Sequence, residues 1–387
     1  MKQFFTAAAL LFTLHLSAQM EAPQNWWNLD RENDSFPGVS SDRAHAYLQG
    51  KANQKVVVAV IDSGIDIEHE DLADIIWTNE GEIPNNGRDD DNNGYIDDVH
   101  GWNFIGGPGG THVHHENLEI TRIYTRLSQK YANRNPEGLD KDESAEYARM
   151  EELGRIIEEE RAGAEPQLAQ IQGFIDAING AADAMGKPAE EVTVEDIDAF
   201  ESEDEMTTRI LGFARNMMQA EGGNLGDLIK QMEGGIEYYG GQLNYYYNTE
   251  YDSRDVVGDD PSNLDDRNYG NNRVEGPDAS HGTHVAGIIA AIRGNDLGVD
   301  GVGQNGNIEI MVIRAVPDGD ERDKDVANAI RYAVDNGASV VNMSFGKAYS
   351  PYKEAVDAAV RYAEQNDVLL VHAAGNDGKE LTLFNNY

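Results

Sequence analysis

The sequence predicts an α/β protein with a doubly wound, mostly parallel sheet and an α-helical insertion, on three observations. Four runs, VVVAVI (56–61), IEIMVIRAV (308–316), ASVVNMSF (338–345) and DVLLVHAA (367–374), are rich in β-branched or apolar residues with little polar alternation. That is the pattern of strands buried on both faces. Helical patterns at 281–292, 324–336 and 352–365 fall between these runs, so strands and helices alternate. From 116 to 247 the strand signal disappears and helix formers with Gly or Pro breaks replace it.

The elements follow in chain order. Residues 1–19, MKQFFTAAALLFTLHLSAQ, place Lys2 before an apolar stretch from Phe4 to Leu16 and then small or polar residues, the layout of a signal peptide. Cleavage is expected after Ala18 or Gln19, and export to the periplasm, cell surface or medium follows. No later run is apolar for long enough to span a bilayer. Residues 20–54 read as an N-terminal extension carrying Trp26, Trp27, a Pro-Gly turn at 37 and 38, and a short helix over 41–48. The α/β domain is expected over 55–115 and 248–387, interrupted by the helical insertion at 116–247. Within the insertion the patterns predict helices near 117–133, 143–162, 166–185, 194–220 and 224–246, with Thr193 and Asp196 offering a capping-box start to the fourth.

Composition narrows the function. The chain has 387 residues, 40% of them hydrophobic, which suffices for a large core. It has no cysteine, so an exported fold of this size is expected to be held by its core, with bound metal as a candidate addition, rather than by disulfides. A formal net charge of -40 speaks against nucleic acid as a partner, because phosphate backbones need concentrated Lys and Arg. Neutral partners, cations or basic peptides suit it better.

The chemistry gathers at strand ends, where ligands of open α/β sheets bind. Asp62 closes the first strand in AVIDSGID, and taken alone it could equally be a turn residue. His281 opens the helix HGTHVAGIIAAI, whose Gly282, Ala286 and Gly287 allow close packing on the sheet. NMSFG (342–346) and HAAGN (372–376) close two further strands on the same rim. Asn376 can donate its amide to a developing oxyanion. Ser344, Phe345 and Gly346 offer a backbone edge and pocket wall for an extended peptide.

An acidic loop, NNGRDDDNNGYIDD (85–98), places Asp89, Asp91, Asn93 and Gly94 like the opening of a calcium loop, with Tyr95 able to offer its carbonyl. The twelfth position is His100, so this is no EF-hand, and Asp97 or Asp98 would complete the shell. Structural Ca2+ is expected here, a solvated acidic turn being the alternative. GDDPSNLDDRNYGNN (258–272) is a looser cluster of the same kind. His112, His114 and His115 in THVHH suggest a transition metal only weakly, since no carboxylate pattern accompanies them. Tyr245, Tyr246 and Tyr247 read as packing at the end of the insertion.

AVIDSGID, HGTHVAG, VVNMSFG and HAAGND together resemble the subtilisin-like serine protease (subtilase) family, over roughly 55–105 and 255–378. The resemblance implies an endopeptidase that cleaves peptide bonds through an acyl-enzyme. It implies that Asp62 orients the imidazole, that His281 is general base and then acid, and that Asn376 stabilises the tetrahedral intermediate. Similar aspartate-rich loops occur in exported subtilases. The family's serine would come after Asn376 in a Gly-Thr-Ser-Met-Ala type motif, whereas the last serine here is Ser350. Neither Ser63 nor Ser344 is expected to replace it. The chain is therefore expected to be an N-terminal portion with a C-terminally incomplete sheet, inactive by itself. The alternative is an exported pseudoprotease that binds peptides, with the insertion as its partner surface; a third reading, of the insertion itself, makes it a lid or a prodomain substitute.

Overall fold

A computed structural model describes residues 22–51, 54–303 and 307–376, with 378 and 380. The expected signal peptide lies outside the described residues. Seven strands occur among them: β1 (Val56–Asp62), β2 (Gly101–Asn103), β3 (Gly106–Gly107), β4 (Thr111–His112), β5 (Ile308–Arg314), β6 (Val340–Met343) and β7 (Leu369–His372). Five form one sheet in the order β2-β5-β1-β6-β7, with every neighbouring pair parallel. β3 and β4 make a small antiparallel pair of their own. The α/β prediction is therefore correct, and the four apolar runs are the four central and outer strands.

Both faces of β1 and β5 are covered, which is why these strands carry no polar alternation, whereas β7 at the edge leaves Leu369 and Val371 exposed. Ala59, Ile61, Met311 and Ile313 point to one face. There they meet α9 (Asp323–Asp335) and α10 (Lys353–Gln365) through Val326, Ile330, Tyr332, Ala359 and Ala363. Val58, Val60, Ile310 and Val312 point to the other, against Ala286 and Ala290 of α8 (Ser280–Ala290). Each fully buried aliphatic side chain contributes about 1.5–3 kcal/mol.

The preceding helices are α1 (Ser41–Leu48), α2 (Glu119–Tyr131), α3 (Lys141–Met185), α4 (Val194–Ala199), α5 (Glu205–Glu221), α6 (Leu225–Gly241) and α7 (Arg254–Val257). Helices α2 to α6 pack on one another through two clusters of their own, around Ile123, Leu127 and Leu153, and around Ile178, Leu211 and Leu225. Two sequence expectations need correcting here. The helices expected at 143–162 and 166–185 are one 45-residue helix that runs through Pro166. It starts at a capping box formed by Asp140 and Glu143 and stops only at Gly186, which adopts φ 70°. A mid-helix proline removes one backbone bond, and packing on both sides outweighs that loss. The helix expected at 194–220 is instead two, because Asp204 caps a new start by accepting from Thr207 N at 2.7 Å. The Thr193–Asp196 capping box forms as expected.

The two ends of this helical segment are tied together beside the sheet's carboxyl rim. Asn117 Nδ2 donates to the carbonyls of Tyr245 and Asn248, and Thr121 Oγ1 donates to that of Tyr246. Glu119 then pairs with Arg122 and with Lys347 of the loop after β6, while Arg122 donates to the carbonyls of Asp320 and Glu321 in the loop after β5. The segment is thus anchored where β4 and β5 end.

Candidate active site

The site begins with a close approach between two backbones. Gly64, at φ +128°, turns the chain away from β1, and a Cβ there would lie 2.0 Å from the Glu275 carbonyl oxygen. A Cβ on Gly282 would lie 2.1 Å from the Gly64 carbonyl oxygen. Only glycine at both positions lets the start of α8 meet the end of β1. Asp66 N donates to Thr283 Oγ1 at 2.9 Å and fastens the contact.

This approach delivers Asp62 and His281 to each other across 219 residues, with Asp62 Oδ1 2.7 Å from His281 Nδ1. Ser63 N also donates to Oδ1, at 2.8 Å, which fixes the carboxylate plane. Asp62 is buried, while the His281 side chain is 59% exposed. A carboxylate against Nδ1 assigns the proton to that nitrogen, leaving Nε2 as an outward-facing base. Oδ2 of Asp62 is buried without a hydrogen bond among the described residues.

Next to Asp62 in the sheet stands Arg314, a functional neighbour the sequence reading missed. Its guanidinium is buried and donates to the Ser63 and Val113 carbonyls and to Asn103 Oδ1. Burial pulls its pKa down to about 10, so it stays charged at neutral pH. It braces the turn that carries Ser63 and Gly64.

The other rim residues follow along the sheet. Ser344, Phe345 and Gly346 continue from β6, which is β1's neighbour. Ser344 Oγ accepts from Asn342 Nδ2 at 2.9 Å, and the Phe345 ring lies 6.2 Å from that of His372. Asn376 is exposed, four residues beyond the end of β7. Its strand lies two spacings from β1, about 10 Å away, and no hydrogen bond among the described residues joins it to Asp62 or His281.

The acidic loop sorts its carboxylates into two groups. Asp89 accepts from Asn93 N and Gly94 N, and Asp97 from Asn86 N and Gly87 N, so these two close the loop on itself. Asp91 and Asp98 converge instead with Glu82, one oxygen of each lying within 4.8 Å of the others. Asn93 Nδ2 bridges Asp91 and Asp98, while Tyr95 turns its ring into the core, 5.0 Å from Trp102. Burial raises the Asp98 pKa to about 6, against hydrogen bonds from Tyr332, Asn93 and Asn79. Glu82 and Asn79 lie outside the motif and carry no spacing signal. In the looser segment at 258–272, Asp259 is matched by protein cations, at 2.6 Å from Lys324 Nζ and 3.0 Å from Arg254 Nη1. His112 sits apart, with Nδ1 3.3 Å from Asn103 Nδ2, while His114 and His115 lie against Asp318.

Known proteins resemble this chain over part of its length. The model of the subtilase family matches residues 53–386. The chain is 40% identical over 104 residues to the thermophilic serine proteinase of Bacillus sp. (strain AK1), covering 27% of this chain and 25% of that protein. It is 37% identical over 99 residues to thermitase of Thermoactinomyces vulgaris, covering 25% of this chain and 34% of that protein. The matched region thus spans a quarter to a third of these relatives' lengths. Among solved structures, the prenylagaramide maturation protease PagA is 31% identical with a TM-score of 0.22, covering 26% of this chain and 36% of that one.

Proposed function

Since the chain belongs to the subtilase family of serine proteases, we propose that Asp62 and His281 are the orienting carboxylate and the general base of an exported serine endopeptidase. The observation that carries this reading is the 2.7 Å contact between Asp62 Oδ1 and His281 Nδ1 at the carboxyl rim of the sheet. In the proposed reaction His281 Nε2 takes the proton of an attacking serine hydroxyl, and buried Asp62 stabilises the imidazolium that results. The proton then passes to the leaving amine. The Asn376 amide is assigned to the developing oxyanion. An extended peptide substrate is assigned to the edge at Ser344, Phe345 and Gly346, whose backbone makes no bond to other backbone groups among the described residues. Export rests on the leader pattern of residues 1–19, and among the described residues no helix is long and apolar enough to cross a membrane.

No hydrogen bond among the described residues joins a serine hydroxyl to His281. Ser63 Oγ donates to the Asp278 carbonyl, Ser344 Oγ accepts from Asn342, and Ser350 Oγ donates to Asp323. We therefore assign no acylation to these 387 residues alone, and the expected result of a fluorophosphonate probe is no labelling. Joined to a serine-bearing segment of the family type, the same residues are expected to label and to cleave denatured protein, with Asp62→Asn lowering the rate by about 10⁴-fold. Labelling of the 387 residues alone would overturn the first expectation. A joined chain that binds peptide without labelling would favour the alternative, an exported peptide-binding pseudoprotease.

Calcium is proposed for Glu82, Asp91 and Asp98. The fit is chemical: three carboxylates converge, Glu82 and Asp98 are buried, and no lysine or arginine pairs with them among the described residues. An oxygen-only, uncompensated set suits a hard cation. Bound there, Ca2+ would neutralise the cluster and hold the loop to Tyr332 of α9, whose hydroxyl donates to Asp98 at 2.6 Å. At 100 times its Kd, Ca2+ is expected to add about 2.7 kcal/mol of stability. Glu82→Gln should remove that gain in a thermal melt. An equal gain in the variant would rule this assignment out.

A further inference from the structure

His114 and His115 lack a carboxylate partner in sequence, but the fold brings one from 203 residues away. Asp318, in the loop after β5, accepts from His115 Nδ1 at 2.8 Å on one oxygen and from the Tyr246 hydroxyl on the other. One ligand atom from each of His114, His115 and Asp318 lies within 4.8 Å of the other two. The two imidazoles stand edge to face, with centroids 4.1 Å apart. His115 is stacked on Tyr245 at 4.0 Å and 11°. The His114 ring nitrogens make no hydrogen bond among the described residues. Their backbones are locked as well: Asp318 N donates to the His114 carbonyl, and Glu116 N donates to the Asp318 carbonyl, each at 2.8 Å.

We propose that His114, His115 and Asp318 form a binding site for a borderline divalent transition cation of the Zn2+ class, which clamps the end of the helical segment to the carboxyl rim of the sheet. Two imidazoles and one carboxylate are ligands zinc takes readily, and a three-residue set leaves a fourth position for water. Nitrogen ligands select against Ca2+ and Mg2+, so this site and the oxygen-only acidic loop take different ions. With metal bonds of about 2.0–2.1 Å, a tetrahedral edge is about 3.3 Å. Replacing the proton between His115 Nδ1 and Asp318 Oδ2 thus opens their contact by about half an ångström.

The ligands come from the loops that follow β4 and β5, but the groups that aim them come from the helical segment's end. Tyr245 fixes the His115 ring plane and Tyr246 holds the Asp318 carboxylate. Such outer contacts orient ligands and tune affinity. Both tyrosines lie in a π-helical turn, Gln242–Tyr246, a distortion frequent at functional sites. Metal binding and seating of the helical segment are therefore one equilibrium.

The test is calorimetric titration of the 387-residue chain with Zn2+ alone, in Ca2+ sufficient to fill the acidic loop, with Co2+ absorption as a second readout. One equivalent of Zn2+ is expected, displacing Co2+ that shows tetrahedral visible bands. His114→Ala is expected to weaken binding at least tenfold, and because that ring makes no hydrogen bond the variant should fold. Tyr246→Phe is expected to weaken it about tenfold. Absence of a saturable site, wild-type affinity in both His114→Ala and Asp318→Asn, or loss of binding in Glu82→Gln instead would overturn the site. Unchanged affinity in Tyr246→Phe would overturn its coupling to the helical segment.

Discussion

Replacing Asp325 with alanine is expected to lower the stability of the fold by about 3–5 kcal/mol. Asp325 lies on α9, fully buried, and accepts from Arg254 Nη2 on one oxygen and from the Tyr269 hydroxyl at 2.7 Å on the other. Arg254 is also buried and pairs with Asp259 at 3.0 Å. Asp259 in turn holds buried Lys324 at 2.6 Å, whose ammonium stands 4.2 Å over the Tyr269 ring. Two buried cations are thus matched by two buried anions. Removing Asp325 leaves both cations sharing Asp259, with only half-exposed Asp266 at 3.4 Å from Lys324 as a reserve. An uncompensated buried guanidinium is the costly case, whereas an exposed pair such as Arg209–Glu205 should cost under about 0.5 kcal/mol when broken. Urea unfolding of Asp325→Ala beside Arg209→Ala measures the contrast. Similar small losses in both would refute the network's role.

The same network shows how much of this protein its sequence discloses. β1 and β5 were legible because strands buried on both faces leave an unbroken apolar run, and β6 and β7 carry such a run too, although β7 leaves Leu369 and Val371 exposed. β2 was not, since Gly-Trp-Asn is too short for a period and depends on Gly101, where a Cβ would lie 1.8 Å from the Val312 carbonyl oxygen. Asp62 and His281 were legible because each sits in a distinctive local string, although only the fold shows that they touch. Glu82, Arg314 and Asp318 were not, because their roles depend on partners far away in sequence. The segment 258–272 reads as a metal loop for the same reason: its cations, Arg254 and Lys324, lie outside the window. Pro166 misled in the opposite direction, since a local helix-breaking signal was overridden by packing along the rest of α3.

Glutamine at position 321 is expected to stabilise the protein at pH 8 and to leave it unchanged near pH 4. Glu321 lies in the loop that leads into α9, 5% exposed. It borders a cavity of about 300 Å³ that Met343, Phe345, Leu370 and His372 also line. Burial raises its pKa to about 7, Lys347 opposing only in part, against 4.5 in the unfolded chain. The folded state therefore keeps a proton that the unfolded state releases. Below pH 4.5 both states are protonated and Glu321 is neutral in effect. Between 4.5 and 7 the unfolded state alone ionises, and stability falls by up to about 3 kcal/mol, at about 1.4 kcal/mol per pKa unit. Above 7 both are ionised and the loss is constant. Glu116 works with the opposite sign: burial raises its pKa, but Arg322 and Arg122 outweigh that and hold it at about 2. Its contribution is complete above 4.5 and disappears as the pH falls towards 2. Stability should therefore peak near pH 4.5–5 for these two groups together, and Glu321→Gln should flatten the alkaline side while leaving the acid side as it was. Urea unfolding of both proteins at pH 4.5 and pH 8 measures the difference directly. Parallel profiles would mean that Glu321 reaches solvent and that the cavity beside Phe345 is wet.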